Sequence, residues 1–154
     1  KAANLLLQKY PAESFVVETR IDASALKEGE LAGVTVMGTK YAIVALRRGK
    51  TGMDLACFSG DPKDGTKELS TAPWPGESAV LRVQFKSGSE CEFMTSVDGK
   101  DFKSLQMNFH ATPDGWIGGK IGIFSTATSA SADRGYADFD YFRFSNFSDQ
   151  TSGR

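Results

Sequence analysis

Apolar and polar residues alternate along this chain in short runs typical of β-strands that bury one face. In the clearest run, Leu81, Val83 and Phe85 are separated by polar residues. These three side chains are therefore expected to point into a core, while Arg82 and Gln84 point towards solvent or a binding groove. A shift of one residue in this strand would exchange the two faces.

Similar runs recur at short intervals, separated by clusters of Gly, Asp, Asn and Pro that are typical of turns. Two connections predict hairpins: residues 38–40, and the pair Asp98-Gly99, which favours a tight turn. Helical periodicity is nearly absent, with room for one turn at most in residues 23–30. The predicted strands comprise residues 15–22, 31–37, 41–46, 53–58, 81–86, 90–97, 121–124 and 136–144.

Two segments, residues 60–78 and 125–134, lack this alternation and are predicted to be irregular. The first carries three of the five prolines, and the second is rich in Ser, Thr and Ala. Short strands with frequent turns predict an all-β fold of about ten strands, arranged as a two-sheet antiparallel β-sandwich. The 154 residues fit one domain, assigned to residues 1–147 and cut from a longer protein, with a polar tail at 148–154 that is expected to be disordered.

Charge and composition argue against two classes of partner. The chain has 18 Lys and Arg against 19 Asp and Glu, a formal net charge of −1, so no basic excess is present to neutralise nucleic-acid phosphates. No apolar stretch approaches the roughly 18 residues that a membrane-spanning helix needs. Cys57 and Cys91 lie in strand-like runs without a metal motif. They are interpreted as free buried thiols, or as a disulfide if the protein is secreted.

Residues suited to catalysis are scarce. The single histidine, His110, has no nucleophile motif around it and is assigned to a surface loop. Asp138 and Asp140 are two residues apart in one predicted strand and share a face. They suit a structural role, such as calcium binding by Asp140, better than glycoside hydrolysis. We therefore predict that the chain is not an enzyme on its own and that its cofactor, if any, is a structural Ca²⁺.

Residues suited to sugar recognition are present. Aromatic rings stack on sugar rings, and guanidinium and carboxylate groups bind sugar hydroxyls. Tyr41 and Arg47 fall on one face of a predicted strand, while Trp74 stands between two prolines in an irregular segment and is the leading candidate for a stacking platform. Trp116 completes the candidate set. The alternatives stay open: Trp74 caps the core, Trp116 packs inwards, and Arg47 is solvated. The aromatic residues of the last strand, Tyr141 among them, are assigned mostly to the core.

Three stretches together resemble the C-terminal concanavalin-A-like β-sandwich of glycoside hydrolase family 43, the β-xylosidase and α-L-arabinofuranosidase family. The first is residues 30–38 with 41–44, similar to a hairpin of that domain in which Ala-Gly precedes hydrophobic residues. The second is residues 96–102, similar to its Ser-x-Asp-Gly-x-x-Phe turn. The third is residues 116–124 followed by 135–144, similar to its closing strands.

The resemblance spans residues 13–145 and implies a function. In that family the catalytic acids lie on a five-bladed propeller domain, which is not part of this sequence. The resemblance therefore implies a non-catalytic, carbohydrate-binding accessory domain of an enzyme that degrades xylan, arabinan or arabinogalactan. Its implied partners are plant cell-wall polysaccharide or oligosaccharide and the catalytic propeller, and its implied location is secreted or periplasmic in a bacterium. In the xylosidase branch, the segment that contains Tyr10 approaches the active site of the partner domain, which implies that Tyr10 is a wall of that pocket.

Two other functions stay open at this point. In one, the domain packs against a catalytic propeller and shapes its pocket without binding sugar by itself. In the other, it is a small independent lectin-fold glycosidase or lyase. Retention on polysaccharide distinguishes the first of these from sugar binding, and activity on chromogenic xylosides and arabinosides tests the second.

Overall fold

Two six-stranded antiparallel sheets pack face to face in the computed structural model, which describes residues 4–112, 118–127 and 133–147. The strands are β1 (Asn4–Lys9), β2 (Phe15–Asp22), β3 (Leu31–Met37), β4 (Tyr41–Arg48), β5 (Met53–Asp61), β6 (Gly65–Trp74), β7 (Ser78–Lys86), β8 (Glu90–Ser96), β9 (Lys103–Ser104), β10 (Phe109–His110), β11 (Lys120–Thr126) and β12 (Asp138–Ser145). The first sheet has the order β1-β11-β3-β4-β5-β6, and the second has the order β10-β8-β7-β2-β12, with β9 beside β8. The predicted β-sandwich is confirmed. The twelve strands of the described residues exceed the expected ten because β6 was predicted to be irregular and because β9 and β10 have only two residues each.

Alternate residues of the central strands form the core between the sheets. In β7, Leu81, Val83 and Phe85 are buried, as their alternation predicted. Val83 lies opposite Val17 of β2, and the ring of Phe85 stacks on that of Phe15 with centroids 4.9 Å apart. The burial of these rings and branched side chains is the main favourable contribution to folding.

Both cysteines belong to this core. Cys57 of β5 and Cys91 of β8 are buried and free, which matches their interpretation as core thiols. Burial raises the pKa of the Cys91 thiol to about 12. The thiol is therefore protonated at neutral pH and is a poor nucleophile.

The structure corrects the expectation that residues 60–78 are irregular. Strand β6 lies within this segment and pairs along its length with β5. Every residue of β6 before Trp74 is exposed, so this edge strand has no buried face and shows no apolar alternation. Pro73 is tolerated because an edge strand does not need all of its N–H groups for pairing.

Residues 23–30, which had room for one helical turn, form two tight turns instead. The amide of Leu26 donates to the Ala23 carbonyl at 3.1 Å, and that of Glu30 donates to the Lys27 carbonyl at 2.9 Å. Within the ranges that the structure describes, no helix is long and apolar enough to span a membrane.

Candidate functional site

The outer face of the first sheet carries both Tyr41 and Arg47, as their spacing predicted. In β4, the side chains of Ala42, Val44 and Leu46 belong to the core. The alternate residues of the strand therefore face outwards. Strands β5 and β6, next to β4 at this edge of the sheet, supply the groups that hold the two outward side chains.

The Tyr41 ring lies over the neighbouring strand β5. Tyr41 is paired with Gly60, where a Cβ atom would come within 2.3 Å of the ring carbon Cζ, so glycine is needed to leave room for the ring. The Tyr41 hydroxyl is hydrogen-bonded to the hydroxyl of Thr66 in β6. An aromatic ring is thereby fixed near an open sheet edge, which is what stacking on a sugar requires.

Arg47 is held against β6 by a forked ion pair with Glu68. Its two terminal nitrogens lie 2.7 and 3.3 Å from the Glu68 carboxylate oxygens, and Nη2 also donates to the Thr71 hydroxyl at 3.1 Å. The hydrogen bond with Glu68 raises the pKa of Arg47, and the same bond lowers the pKa of Glu68. Both side chains are partly exposed and charged at neutral pH. They can therefore donate to and accept from sugar hydroxyls.

Trp74 lies on the other side of the first sheet. It pairs with Met53, a core residue, and its ring packs against the core. The indole nitrogen donates to the Ser78 carbonyl at 2.9 Å. The structure therefore does not bring Trp74 together with Tyr41 and Arg47. It places Trp74 as a half-buried cap, the arrangement of the alternative interpretation.

Tyr10 packs at the end of the core, directly after β1. Its ring centroid lies 4.5 Å from that of Phe85 and 5.7 Å from that of Phe15. The hydroxyl is buried without a hydrogen-bond partner among the described residues, and burial raises its pKa. Tyr10 also lines an open cavity of about 410 Å³. Its role as a wall of a partner domain's pocket stays a prediction.

The two other predicted residues are not placed at this face. Trp116 lies outside the described residues. Asp140 of β12 is exposed at a register irregularity between Phe139 and Tyr141. Across the part of the chain that the structure describes, no three His, Cys, Asp or Glu side chains form a group that could hold a metal ion. The calcium site stays a prediction, which the effect of a chelator on the melting temperature tests.

A comparison with known protein families identifies the family of this chain. The profile of the β-xylosidase C-terminal concanavalin A-like domain matches residues 1–145. The chain belongs to this family. A comparison with curated proteins found no match.

Solved structures show the fold of this β-xylosidase C-terminal domain in larger proteins. A bifunctional GH43-CE protein from Bacteroides eggerthii is 23% identical, with a TM-score of 0.82, and the match covers 93% of this chain and 19% of that one. The GH43 protein BlXynB from Bacillus licheniformis is 18% identical, with a TM-score of 0.77 and coverage of 94% and 30%. A xylan β-1,4-xylosidase from Bacillus halodurans is 16% identical, with a TM-score of 0.78 and coverage of 93% and 30%. This chain thus spans less than a third of each of these proteins, and at such identities the likeness shows the fold alone.

The stretches that resemble this family include Glu30 and Gly135, and the buried carboxylate of Glu30 accounts for both residues. Glu30 is 5% exposed and accepts hydrogen bonds from the backbone nitrogens of Lys27 at 2.7 Å and Gly135 at 3.1 Å. A Cβ atom at Gly135 would lie 2.3 Å from both Glu30 Oε2 and the Ala25 carbonyl oxygen, so glycine is required there. This contact ties the segment before β12 to the turn before β3.

Sequence reasoning missed a second polar cluster, on the outer face of the second sheet. The carboxylate of Glu18 accepts hydrogen bonds from Arg82 Nε and Nη2 at 3.1 and 2.8 Å. It also accepts from the Tyr141 hydroxyl at 2.8 Å and from Arg143 Nη2 at 3.0 Å. Burial alone would raise the pKa of Glu18, but the hydrogen bonds from Arg82 and Tyr141 and the charges of Arg82 and Arg143 outweigh it and lower the pKa.

The position of Tyr141 in this cluster corrects its assignment to the core. Phe139 pairs with Ile21, a core position, whereas Tyr141 pairs with Arg20. The one extra residue between them, Asp140, reverses the alternation of β12, as a β-bulge does. Tyr141 and Arg143 consequently face outwards. The apolar pattern of the sequence carries no signal for such a bulge.

Proposed function

We propose that this chain is a non-catalytic accessory domain of a family 43 glycoside hydrolase that degrades xylan, arabinan or arabinogalactan. In this proposal the domain contacts sugar through Tyr41 and Arg47. The observation that carries the proposal is the family match over residues 1–145. In this proposal, catalysis belongs to a propeller domain of the same enzyme. A polysaccharide substrate of this kind lies outside the cell, which favours a secreted or periplasmic protein.

The outer face of the first sheet supports sugar contact at Tyr41 and Arg47. The half-buried Tyr41 ring is held by Gly60 and Thr66, and the Arg47–Glu68 pair lies further along the same strand face. An aromatic ring with a nearby charged donor and acceptor is the combination that recognises a sugar ring and its hydroxyls. Trp74 contributes to the core in this proposal, not to the sugar.

Affinity electrophoresis in gels that contain xylan, arabinan or arabinogalactan tests the proposal. We expect at least one of these polymers to retard the chain. The variant Tyr41→Ala should abolish the retardation, because it removes the ring that stacks on the sugar. Tyr136→Ala is the matched control, since Tyr136 is 63% exposed and lies elsewhere. Equal retardation of the native chain and Tyr41→Ala would contradict the proposed contact.

A second candidate function is packing against the catalytic propeller without sugar binding. Exposed apolar residues favour it: Leu5 and Leu6 of β1 are 45% and 66% exposed, and with Tyr136 they line a groove of about 470 Å³. Large exposed apolar groups in one place are typical of protein contacts. This function replaces sugar binding if no polysaccharide retards the chain and if Leu6→Asp lowers the melting temperature of the intact enzyme but not that of the isolated chain.

A further inference from the structure

Three arginines lie close together on the outer face of the second sheet, with Asp22 and Asp138 beyond Arg20 at one end. Arg82 and Arg143 bind one carboxylate, that of Glu18. Arg20 lies two residues further along β2 on the same face. We call Arg20, Arg82, Arg143 and Tyr141 the arginine face.

Glu18 is neutralised within this cluster and is not free to bind a ligand. It is 8% exposed, and its two oxygens accept hydrogen bonds from Arg82 and Arg143. By contrast, the Arg143 side chain is 63% exposed. The Arg20 guanidinium forms no hydrogen bond or ion pair with any residue that the structure describes. Among the described residues, Arg20 therefore has no fixed negative partner, and the charge of Arg143 is only partly neutralised by Glu18.

The side chains of Arg82 and Arg143 are held in place before any ligand arrives. The guanidinium carbon of Arg82 lies 3.5 Å from the centroid of the Phe102 ring, and that of Arg143 lies 4.7 Å from the centroid of the Tyr141 ring. Stacking and the bonds to Glu18 fix both planes, which reduces the entropy lost on binding. A fixed guanidinium plane presents parallel N–H groups that match the two oxygens of a carboxylate.

We propose that the arginine face binds the carboxylate of a uronic acid residue in an acidic plant polysaccharide. The Arg143 guanidinium stacks on the Tyr141 ring, and Arg20 is the register partner of Tyr141 on the neighbouring strand. A uronic acid offers the carboxylate that these groups attract, whereas a neutral pentose does not. The inference rests on the proposed function for the choice of a polysaccharide ligand. It adds the charged class of that ligand and a site separate from Tyr41.

Binding of the 154-residue chain to glucuronoxylan and to neutral arabinoxylan tests the inference. We expect tighter binding to glucuronoxylan, weakened by raising NaCl from about 0.05 to about 0.5 M because salt screens exposed charges. Arg20→Gln and Arg143→Gln should each weaken that binding about fivefold, as expected for the loss of one exposed charge pair. Arg134→Gln, which removes an exposed arginine elsewhere, is the matched control and should have no effect.

The Arg20 side chain takes no part in the Glu18 cluster, so Arg20→Gln should weaken binding without disturbing the fold. Arg143→Lys keeps the positive charge and tests whether the planar guanidinium group is needed as well. Equal binding of the two xylans, or unchanged binding by Arg20→Gln and Arg143→Gln, overturns the inference. If arabinoxylan binding nevertheless disappears in Tyr41→Ala, the proposed function stands without the arginine face. If the arginine variants change only the stability or turnover of the intact enzyme, the face contacts protein and the inference fails.

Discussion

Glu18 is the residue through which three strands of the second sheet share hydrogen bonds. Its carboxylate joins β2 to Arg82 of β7 and to Tyr141 and Arg143 of β12. A carboxylate this far removed from solvent loses hydration, and the loss is compensated only because several donors, two of them charged, replace the water. Removal of the negative charge therefore leaves the arginine side chains without their partner.

The stability of the chain should depend on pH through Glu18. Because the pKa of Glu18 is lowered in the folded state, its contribution is complete above the pKa of an unfolded glutamate, about 4.3. The contribution is lost as the pH falls through the lower folded pKa. We expect the free energy of unfolding to fall more steeply at acid pH for the native chain than for Glu18→Gln.

At pH 7, Glu18→Gln should cost about 1.5–3 kcal/mol, the range for hydrogen bonds to charged groups. Urea unfolding of the native chain and of Glu18→Gln between about pH 3 and pH 7 measures the difference in their free energies of unfolding as Glu18 becomes protonated. Glu13→Gln, a change at an exposed glutamate, is the control. The same acid dependence in the native chain and Glu18→Gln would show that the cluster contributes nothing to stability.

At the scale of the elements, strands with one buried face could be predicted from the sequence and the others could not. In β7, Val83 and Phe85 are buried while Arg82 and Gln84 are half-buried, so apolar alternation reports the strand. Strand β6 has no buried face before Trp74. Its sequence therefore resembles a loop, although its backbone is paired with β5.

The same difference applies to the candidate sites. Tyr41 and Arg47 could be placed on one face because they lie in one strand, an even number of residues apart. The Glu18 cluster could not be predicted, since its hydrogen bonds join residues 64 and 125 positions apart. It depends in addition on the bulge at Asp140, which turns Tyr141 out of the core.

Trp74 gives a test of the end of β6. Trp74→Phe keeps an aromatic ring but loses the hydrogen bond to Ser78, so we expect a cost of about 1 kcal/mol in the free energy of unfolding. Trp74→Ala also loses the contact with the core and should cost about 1–3 kcal/mol. Neither variant should change retention on polysaccharide. Lost retention with an unchanged melting temperature would instead identify Trp74 as the stacking platform.

At the scale of the whole molecule, the proposed contacts lie on different sides of the sandwich. Tyr41 and Arg47 lie on the outer face of the first sheet, and the arginine face lies on the outer face of the second. The hydrophobic core separates them, while the exposed leucines of β1 lie at the edge strand of the first sheet. Substitutions at distant sites with no shared partners are usually additive. Each surface can therefore be tested independently in one set of variants.

Tyr10 packs on the core of this domain and is predicted to line the pocket of a partner domain. The ring contacts Phe15 and Phe85, yet it also lines an open cavity. The hydroxyl is buried and has no hydrogen-bond partner among the described residues. The hydroxyl is thus shielded from a substrate or a neighbouring domain, and any contact of Tyr10 with either would involve the rest of the residue.

Two substitutions at Tyr10 should consequently behave differently. Tyr10→Phe removes a buried polar group without a partner and should raise the free energy of unfolding by about 1 kcal/mol, while the turnover of the intact enzyme stays unchanged. Tyr10→Ala removes the ring, so it should destabilise the domain by about 3–5 kcal/mol. If the ring is a wall of the active-site pocket, Tyr10→Ala should also change turnover well below the melting temperature, without changing polysaccharide retention by this chain. Equal kinetics for the native enzyme and both variants would remove Tyr10 from the pocket. An altered turnover in Tyr10→Phe would show that the hydroxyl is exposed to the partner domain, contrary to its burial here.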